Sequence, residues 1–133
     1  MRQPAVHHSR VSTLMIDCLD ESFAESLAFW QQALGLTIAR RPSEKQRYVT
    51  LGELKGPITV RLQKVSKDPG LHLDIESDSV SAEAMRMEAC GARRKYKIRK
   101  WWVLEDPSGN AFCVIRPESA GFLKHAAKWK DAP

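Results

Sequence analysis

Apolar and polar residues alternate along this chain in a pattern that predicts two similar sets of elements. The first set begins at residues 11–18, where apolar and β-branched side chains predict a strand. We expect a helix next, because Ser22 and Glu25 form a capping-box pattern and apolar residues recur at helical spacing as far as Leu34, before Gly35. Alternating segments then predict further strands at residues 36–40, 47–51 and 58–65.

The same order of elements starts again after residue 70. A strand is expected at residues 71–76, followed by a helix that Asp78 caps and that runs to Cys90, with Gly91 ending it. The last strands are predicted at residues 92–97, 101–104 and 111–115. The two predicted helices also close alike, with Ala33-Leu34-Gly35 and Ala89-Cys90-Gly91, which indicates an internal repeat of a βαβββ unit.

The last two predicted strands are joined by a well-defined turn, Asp106-Pro107-Ser108-Gly109-Asn110. Proline fixes φ, while glycine and asparagine tolerate positive φ, so this segment predicts a hairpin. Side chains alternate along the strand that follows the turn. Ala111, Cys113 and Ile115 are therefore expected on one face, and Phe112 and Val114 on the other.

Three motifs together point to a family. The hairpin reads Asp-Pro-x-Gly-Asn-x-Phe-Cys and ends at Cys113, Phe29-Trp30 is followed by Leu34-Gly35, and His72-Leu73-Asp74 lies in mid-chain. These motifs resemble the glyoxalase-like branch of the vicinal oxygen chelate superfamily, which also holds the bleomycin-resistance proteins, over residues 11–117. Because that superfamily includes lyases, isomerases, dioxygenases and drug-binding proteins, the resemblance implies a fold rather than one reaction.

The implied fold is α+β, with two βαβββ modules forming an eight-stranded, cup-shaped half-barrel whose helices lie outside. We expect one domain at residues 11–117, with modules at 11–65 and 71–117. Residues 1–10 are polar and predict a flexible arm in which His7-His8 has no particular role. Residues 118–133 predict an appended helix, because Phe122, Ala126 and Trp129 recur at roughly helical spacing.

Composition narrows the functional classes. The chain has 133 residues, 43% of them hydrophobic, which suits a single domain with one core. Its net charge of +5 is too modest to predict a nucleic-acid partner by itself. The three cysteines, Cys18, Cys90 and Cys113, lack the spacing of a zinc or redox motif and predict reduced thiols in a cytoplasmic protein. No apolar run predicts secretion or a membrane span.

The resemblance also implies where a metal would bind. Family members with metal chemistry place His or Glu on the first, fourth, fifth and eighth strands. The corresponding positions here are Thr13 or Leu14, Leu62 or Gln63, His72, and Cys113. Only His72 matches the family's ligand types, so we predict no bound metal and no cofactor. The alternative is a metal-dependent lyase or dioxygenase that uses His72 as one ligand.

Other residues suggest a site for a small molecule. His72 and Asp74 share a strand face and could act as a base and its orienting carboxylate, or they could be a core histidine and a solvated acid. Arg61 and Gln63 also share a face, where Arg61 could bind a carboxylate or phosphate. We predict His72 and Asp74 as catalytic candidates and five lining residues: Tyr48, Arg61, Gln63, Trp102 and Cys113.

A basic run from Arg93 to Lys100 offers a third possibility, an interaction module that binds nucleic acid with Tyr96 stacking on a base. We favour the simpler interpretation that these charges protect an exposed sheet edge from pairing with other chains. The expected function is therefore a homodimeric protein with an interior cavity that binds or transforms a small organic molecule without a metal. If it is an enzyme, the resemblance implies a glyoxalase-like lyase or a related activity.

Overall fold

The structure is a computed structural model, and it describes residues 3–34, 36–39, 47–54 and 58–130. Gly35, which was expected to end the first helix, lies outside the described residues, as do Arg40 and the outer ends of both terminal segments. The chain divides into two compact units. Thr13–His72 form the first unit, and Met1–Ser12 with Leu73–Pro133 form the second.

The first unit contains one helix and the strands that pack under it. Strand β1 (Val6–Leu19) enters this unit at Thr13 and is followed by helix α1 (Phe23–Leu34) and strands β2 (Tyr48–Leu54) and β3 (Ile58–Val65). Strand β3 pairs in parallel with β1 and antiparallel with β2. Alternate residues of these strands form the core, which contains Ile16, Cys18, Phe23, Val49, Leu51, Val60 and Leu62.

The second unit repeats this order of strand, helix and further strands, with one strand more. Strand β4 (Gly70–Ser77) enters this unit at Leu73, and helix α2 (Val80–Cys90) follows it. Strands β5 (Arg93–Ile98), β6 (Trp101–Glu105) and β7 (Ala111–Ile115) complete the repeat, and the strand order in this unit is β4-β7-β6-β5. Ala84, Leu104 and Val114 are fully buried between the helix and the strands.

Local sequence signals explain how the elements of the second unit begin and end. Helix α2 starts at Ser79, whose hydroxyl accepts a hydrogen bond from the Ala82 amide, so the cap lies one residue after the predicted Asp78. It ends at Gly91 in the left-handed conformation, as predicted. The β6–β7 hairpin also matches the prediction, since Gly109 has φ +91° and Asp106 accepts hydrogen bonds from the Ser108 and Asn110 amides.

One predicted strand is not formed. The described part of residues 36–40 has no strand conformation, although Ala39 donates its amide to the Thr50 carbonyl at 2.9 Å. Leu36 and Ile38 still pack against the first core. Their alternation therefore reflects burial of one side of an irregular segment and not a continuous ladder.

The predictions for the two termini were wrong, and for one shared reason. Strand β1 begins at Val6, inside the expected arm, because Val6–Ser9 pair antiparallel with strand β8 (Ala127–Lys130). The expected terminal helix is limited to α3 (Phe122–His125). Trp129 lies on β8 and donates its indole N–H to the Ser9 hydroxyl at 2.9 Å. Long-range pairing between the two termini thus overrides the local helical spacing.

His7 has a structural role that the sequence analysis did not assign. Its side chain is fully buried, and its Nε2 lies 2.9 Å from Glu83 Oε1 on α2. Arg86 also binds the Glu83 carboxylate, through Nε at 2.7 Å and Nη2 at 3.0 Å, while its guanidinium lies 3.8 Å from the centre of the Trp129 ring. This buried cluster, His7, Glu83, Arg86 and Trp129, ties β1, α2 and β8 together.

The predicted fold class is confirmed, because the described residues form eight strands and three α-helices of an α+β protein. No helix in the described part of the chain is long and apolar enough to cross a membrane.

Replacing Glu83 tests the buried cluster. Burial alone raises the pKa of Glu83, but hydrogen bonds from Arg86 and His7 outweigh burial and lower the pKa. The stabilisation is therefore present above the pKa of the unfolded state and is lost as the pH falls through the lower folded pKa. We expect Glu83→Gln to reduce the free energy of unfolding by about 3 kcal/mol at pH 7, because it breaks a buried charge pair.

A matched control lies on the same helix. Glu88 is half-exposed and pairs with Arg94, so Glu88→Gln should cost less than about 1 kcal/mol. Urea titrations at pH 7 and pH 3 measure both effects, and the Glu83→Gln deficit should shrink at pH 3. Equal losses for the two variants, or a deficit that does not change with pH, would contradict the role given to Glu83.

Candidate functional site

Four polar side chains lie next to one another across the strands of the first unit. Gln63 on β3 is the register partner of both Tyr48 on β2 and Asp17 on β1. The Gln63 amide donates to the Tyr48 hydroxyl at 3.4 Å, and Asp17 Oδ2 lies 2.9 Å from Nδ1 of His72. We call Tyr48, Gln63, Asp17 and His72 the polar row. Three of its four members were predicted from the sequence as site residues.

Asp17 is the member that the sequence analysis missed. It lies on β1 between Ile16 and Cys18, which are buried in the core, and strand alternation directs its carboxylate to the other side. A carboxylate inside the otherwise apolar residues 14–19 of β1 was the available signal. Its contact with His72 spans 55 positions, however, so no local pattern could reveal it.

The Asp17–His72 pair is the most chemically specific contact of the polar row. Each side chain is less than one-fifth exposed, so the interaction is only weakly screened by solvent. When Nδ1 of a neutral imidazole donates to a carboxylate, the lone pair is at Nε2. Asp17 can therefore fix both the tautomer and the orientation of His72.

Arg61 lies beside the polar row. It precedes Gln63 by two residues on β3, and alternation places both side chains on the same side. Arg61 Nε donates to the Thr50 hydroxyl at 3.1 Å, which orients the guanidinium. This arrangement adds a planar cation to a face that otherwise carries hydroxyl, amide, carboxylate and imidazole groups.

The other three predicted site residues, Asp74, Cys113 and Trp102, lie in the second unit. Trp102 lies apart from the other two. Asp74 on β4 and Cys113 on β7 are register partners, and Asp74 is buried. Trp102 on β6 is instead the partner of Val114 and packs with Ala84 and Leu104 under α2. Of the two adjacent tryptophans, Trp102 is thus the one that faces the helix, so the prediction that it lines a site with Cys113 does not agree with its position.

The basic run is partly occupied by contacts within the second unit. Arg94 pairs with Glu88 at 2.8 Å and lies 4.9 Å from the centre of the Trp102 ring, and Lys95 lies 3.6 Å from Glu105. Strand β5 is also the last strand in the order of this unit. These contacts fit the interpretation of β5 as a charged edge strand.

The metal-ligand positions implied by the family have different surroundings in the structure. Leu62 is fully buried in the first core and offers no ligand, whereas Gln63 lies in the polar row. His72, Asp74 and Cys113 each offer one metal-ligand atom. His72 lies in the first unit, whereas Asp74 and Cys113 lie in the second, and of the three only the His72 imidazole belongs to the His and Glu set of the metal-dependent family members.

Comparison with known proteins identifies the fold. A superfamily member described as glyoxalase/bleomycin resistance protein/dioxygenase, from Vibrio splendidus 12B01, is 18% identical, with a TM-score of 0.51 over 82% of this chain and 99% of its own. A hypothetical protein, BH1468, from Bacillus halodurans C-125 is 12% identical, with a TM-score of 0.58 over 84% and 96%. A variant of homoprotocatechuate 2,3-dioxygenase from B. fuscum is 18% identical, with a TM-score of 0.54 over 87% of this chain and 34% of its own.

At these identities the structural matches establish the fold alone. No curated protein matches the chain. The family model of the glyoxalase-like domain matches residues 13–115, which is most of the sequence and nearly the segment expected from the hairpin and His-Leu-Asp motifs. The chain therefore belongs to the glyoxalase-like domain family of the vicinal oxygen chelate superfamily.

Proposed function

We propose that this protein binds a small organic molecule at the polar row and transfers a proton to or from it. The observation that carries the proposal is the Asp17–His72 pair, an imidazole held by a carboxylate at 2.9 Å. A base oriented by a second group is the minimal arrangement for general acid–base catalysis. The family relationship supports a small-molecule site without fixing the reaction, and a glyoxalase-like lyase is the activity that we expect.

Each residue of the proposed site has a role. His72 accepts or donates the proton at Nε2, because Nδ1 faces Asp17. Arg61 binds an anionic group of the ligand, and a carboxylate or phosphate matches the planar guanidinium best. Gln63 and Tyr48, which already contact each other, supply hydrogen bonds that orient neutral polar groups of the ligand.

Asp74 remains a proposed catalytic candidate and Cys113 a proposed ligand-binding residue, and both lie in the second unit. The homodimer and the cytoplasmic location that the sequence suggests also remain predictions. A metal-dependent lyase or dioxygenase that uses His72 as one ligand is the second candidate, since the His72 imidazole offers a metal-ligand atom.

A thermal-shift screen with small carboxylates and their uncharged amides tests the proposed site. A ligand at 100 times its Kd should stabilise the folded protein by about 2.7 kcal/mol. We expect carboxylates to raise Tm more than the matched amides, and Arg61→Gln to abolish the difference. His72→Ala should abolish turnover of any ligand that is converted while reducing its affinity less than tenfold.

Arg93→Gln is the matched control for the arginine substitution, since Arg93 is exposed on β5 in the second unit. This variant should retain the full carboxylate effect. The proposed site would be wrong if Arg61→Gln and Arg93→Gln behaved alike, or if His72→Ala left the rate of a converted ligand unchanged.

Metal analysis separates the two candidate functions. Protein purified without a chelator or a metal-affinity tag should contain well below one equivalent of zinc, nickel, manganese or iron by mass spectrometry. Turnover should also survive dialysis against a chelator. One equivalent of zinc that is lost in His72→Ala would instead favour the metal-dependent reaction, because an imidazole is a common ligand for zinc.

A further inference from the structure

Strand β5 has one edge that no other strand of the described chain pairs with. It is the last strand in the order of the second unit, and its other edge pairs antiparallel with β6. The outer edge of such a strand carries a row of backbone N–H and C=O groups that are open to a further strand. All of its residues except Arg94 are exposed. The edge is therefore accessible to an extended segment from another molecule.

Three cations at one end of β5 lack an acidic partner. Arg94 and Lys95 already pair with glutamates of the second unit. Lys97, Arg99 and Lys100 are exposed and make no ion pair with the described residues. Lys97 lies on β5, and the other two form the turn to β6. This end of the strand therefore carries an unbalanced positive charge, which favours an acidic partner.

The two faces of β5 differ in chemistry. Residues directly opposite each other in an antiparallel pair lie on the same face of the sheet. Tyr96 and Ile98 are opposite Val103 and Trp101, and they are 50% and 39% exposed, so they form an apolar strip beside the open edge. Lys97 lies on the other face, which is the face that α2 covers. A strand added to β5 would meet apolar groups on one face and positive charge on the other.

The charge of β5 also selects among the molecules that could use its edge. A second copy of β5 would bring like charges together, and like charges directly opposite each other destabilise a strand pair. An acidic segment reverses the sign of this interaction. A nucleic acid would be attracted by the same cations, but it offers no row of N–H and C=O groups at strand spacing. The open edge, the cations and the apolar strip together favour a peptide.

We propose that β5 binds an acidic peptide segment of another protein, which adds a strand to the sheet of the second unit. The sequence of the segment alternates acidic with apolar residues. Its acidic side chains lie on the face of Lys97 and close to the cations of the turn, and its apolar side chains pack beside Tyr96 and Ile98. Main-chain hydrogen bonds to β5 supply affinity, and the alternation supplies specificity. This surface goes beyond the polar row, which lies in the first unit.

Two peptides of the same composition separate strand addition from attraction by charge. One consists of glutamate–valine repeats, and the other has all of its glutamates before all of its valines. Binding of each labelled peptide to the full-length protein is measured by fluorescence anisotropy. We expect the alternating peptide to bind at least tenfold more tightly than the block peptide. Equal affinities for the two peptides, or equal affinity for a single-stranded DNA oligonucleotide of the same charge, would overturn the proposal.

Hydrogen exchange and N-methylation test the contact with the backbone. Outward-facing amides of β5 should exchange at least tenfold more slowly when the alternating peptide is saturating, because they become hydrogen-bonded. Methylating the valine nitrogens blocks one edge of the peptide, and methylating the glutamate nitrogens blocks the other. One of these two peptides should therefore lose at least tenfold in affinity. Protection confined to strands other than β5, or no loss for either methylated peptide, would contradict strand addition.

Charge variants locate the partner of the acidic side chains. Lys97→Glu should weaken binding of the alternating peptide at least tenfold. Lys128→Glu is the matched control, because Lys128 is an exposed lysine on β8 of the same unit, and it should change the affinity less than twofold. Equal losses for the two variants would mean that net charge alone attracts the peptide, and would overturn the proposal. Arg61→Gln should leave peptide binding unchanged, so failure of this surface is distinguishable from failure of the polar row.

Discussion

The contact between Asp17 and His72 is the interaction on which the chemistry of this protein depends. It joins residues 55 positions apart, and both side chains are mostly buried. Without Asp17 the imidazole would have no carboxylate to select its tautomer, and the row formed with Gln63 and Tyr48 would lose its charged member. The pairing of β1 with β3 brings Asp17 into this position, since the same strand buries Ile16 and Cys18 on its other side.

Much of the fold could be predicted from local signals. Helix α2 ends at Gly91 because only a residue tolerant of positive φ fits there, and the β6–β7 hairpin follows from its turn residues. The termini could not be predicted in this way. The pairing of β1 with β8, supported by Trp129 and the buried His7, depends on partners more than 100 residues apart, and the helical spacing of the tail gave the wrong element.

From the sequence, the site could be predicted only where strand alternation decides on which side of a strand a residue lies. Period 2 placed Arg61 and Gln63 on one side of β3, and both lie beside the polar row. Alternation could not decide which of the two adjacent tryptophans faces the helix. That choice depends on the register of β6 against β7, which pairs Trp102 with Val114. Asp17 was missed for the same reason, because its contact with His72 is known only once the strands are assembled.

A double-mutant cycle tests the central claim most directly. The free energy of unfolding is measured by urea titration at pH 7 for wild type, Asp17→Asn, His72→Gln and the double variant. If Asp17 holds His72, the losses of the two single variants should sum to more than the loss of the double variant. The difference, the coupling energy, should be at least about 1 kcal/mol, as expected for a mostly buried hydrogen bond to a charged group. Losses that add within about 0.3 kcal/mol would show that the two side chains do not interact, and would contradict the account of the site.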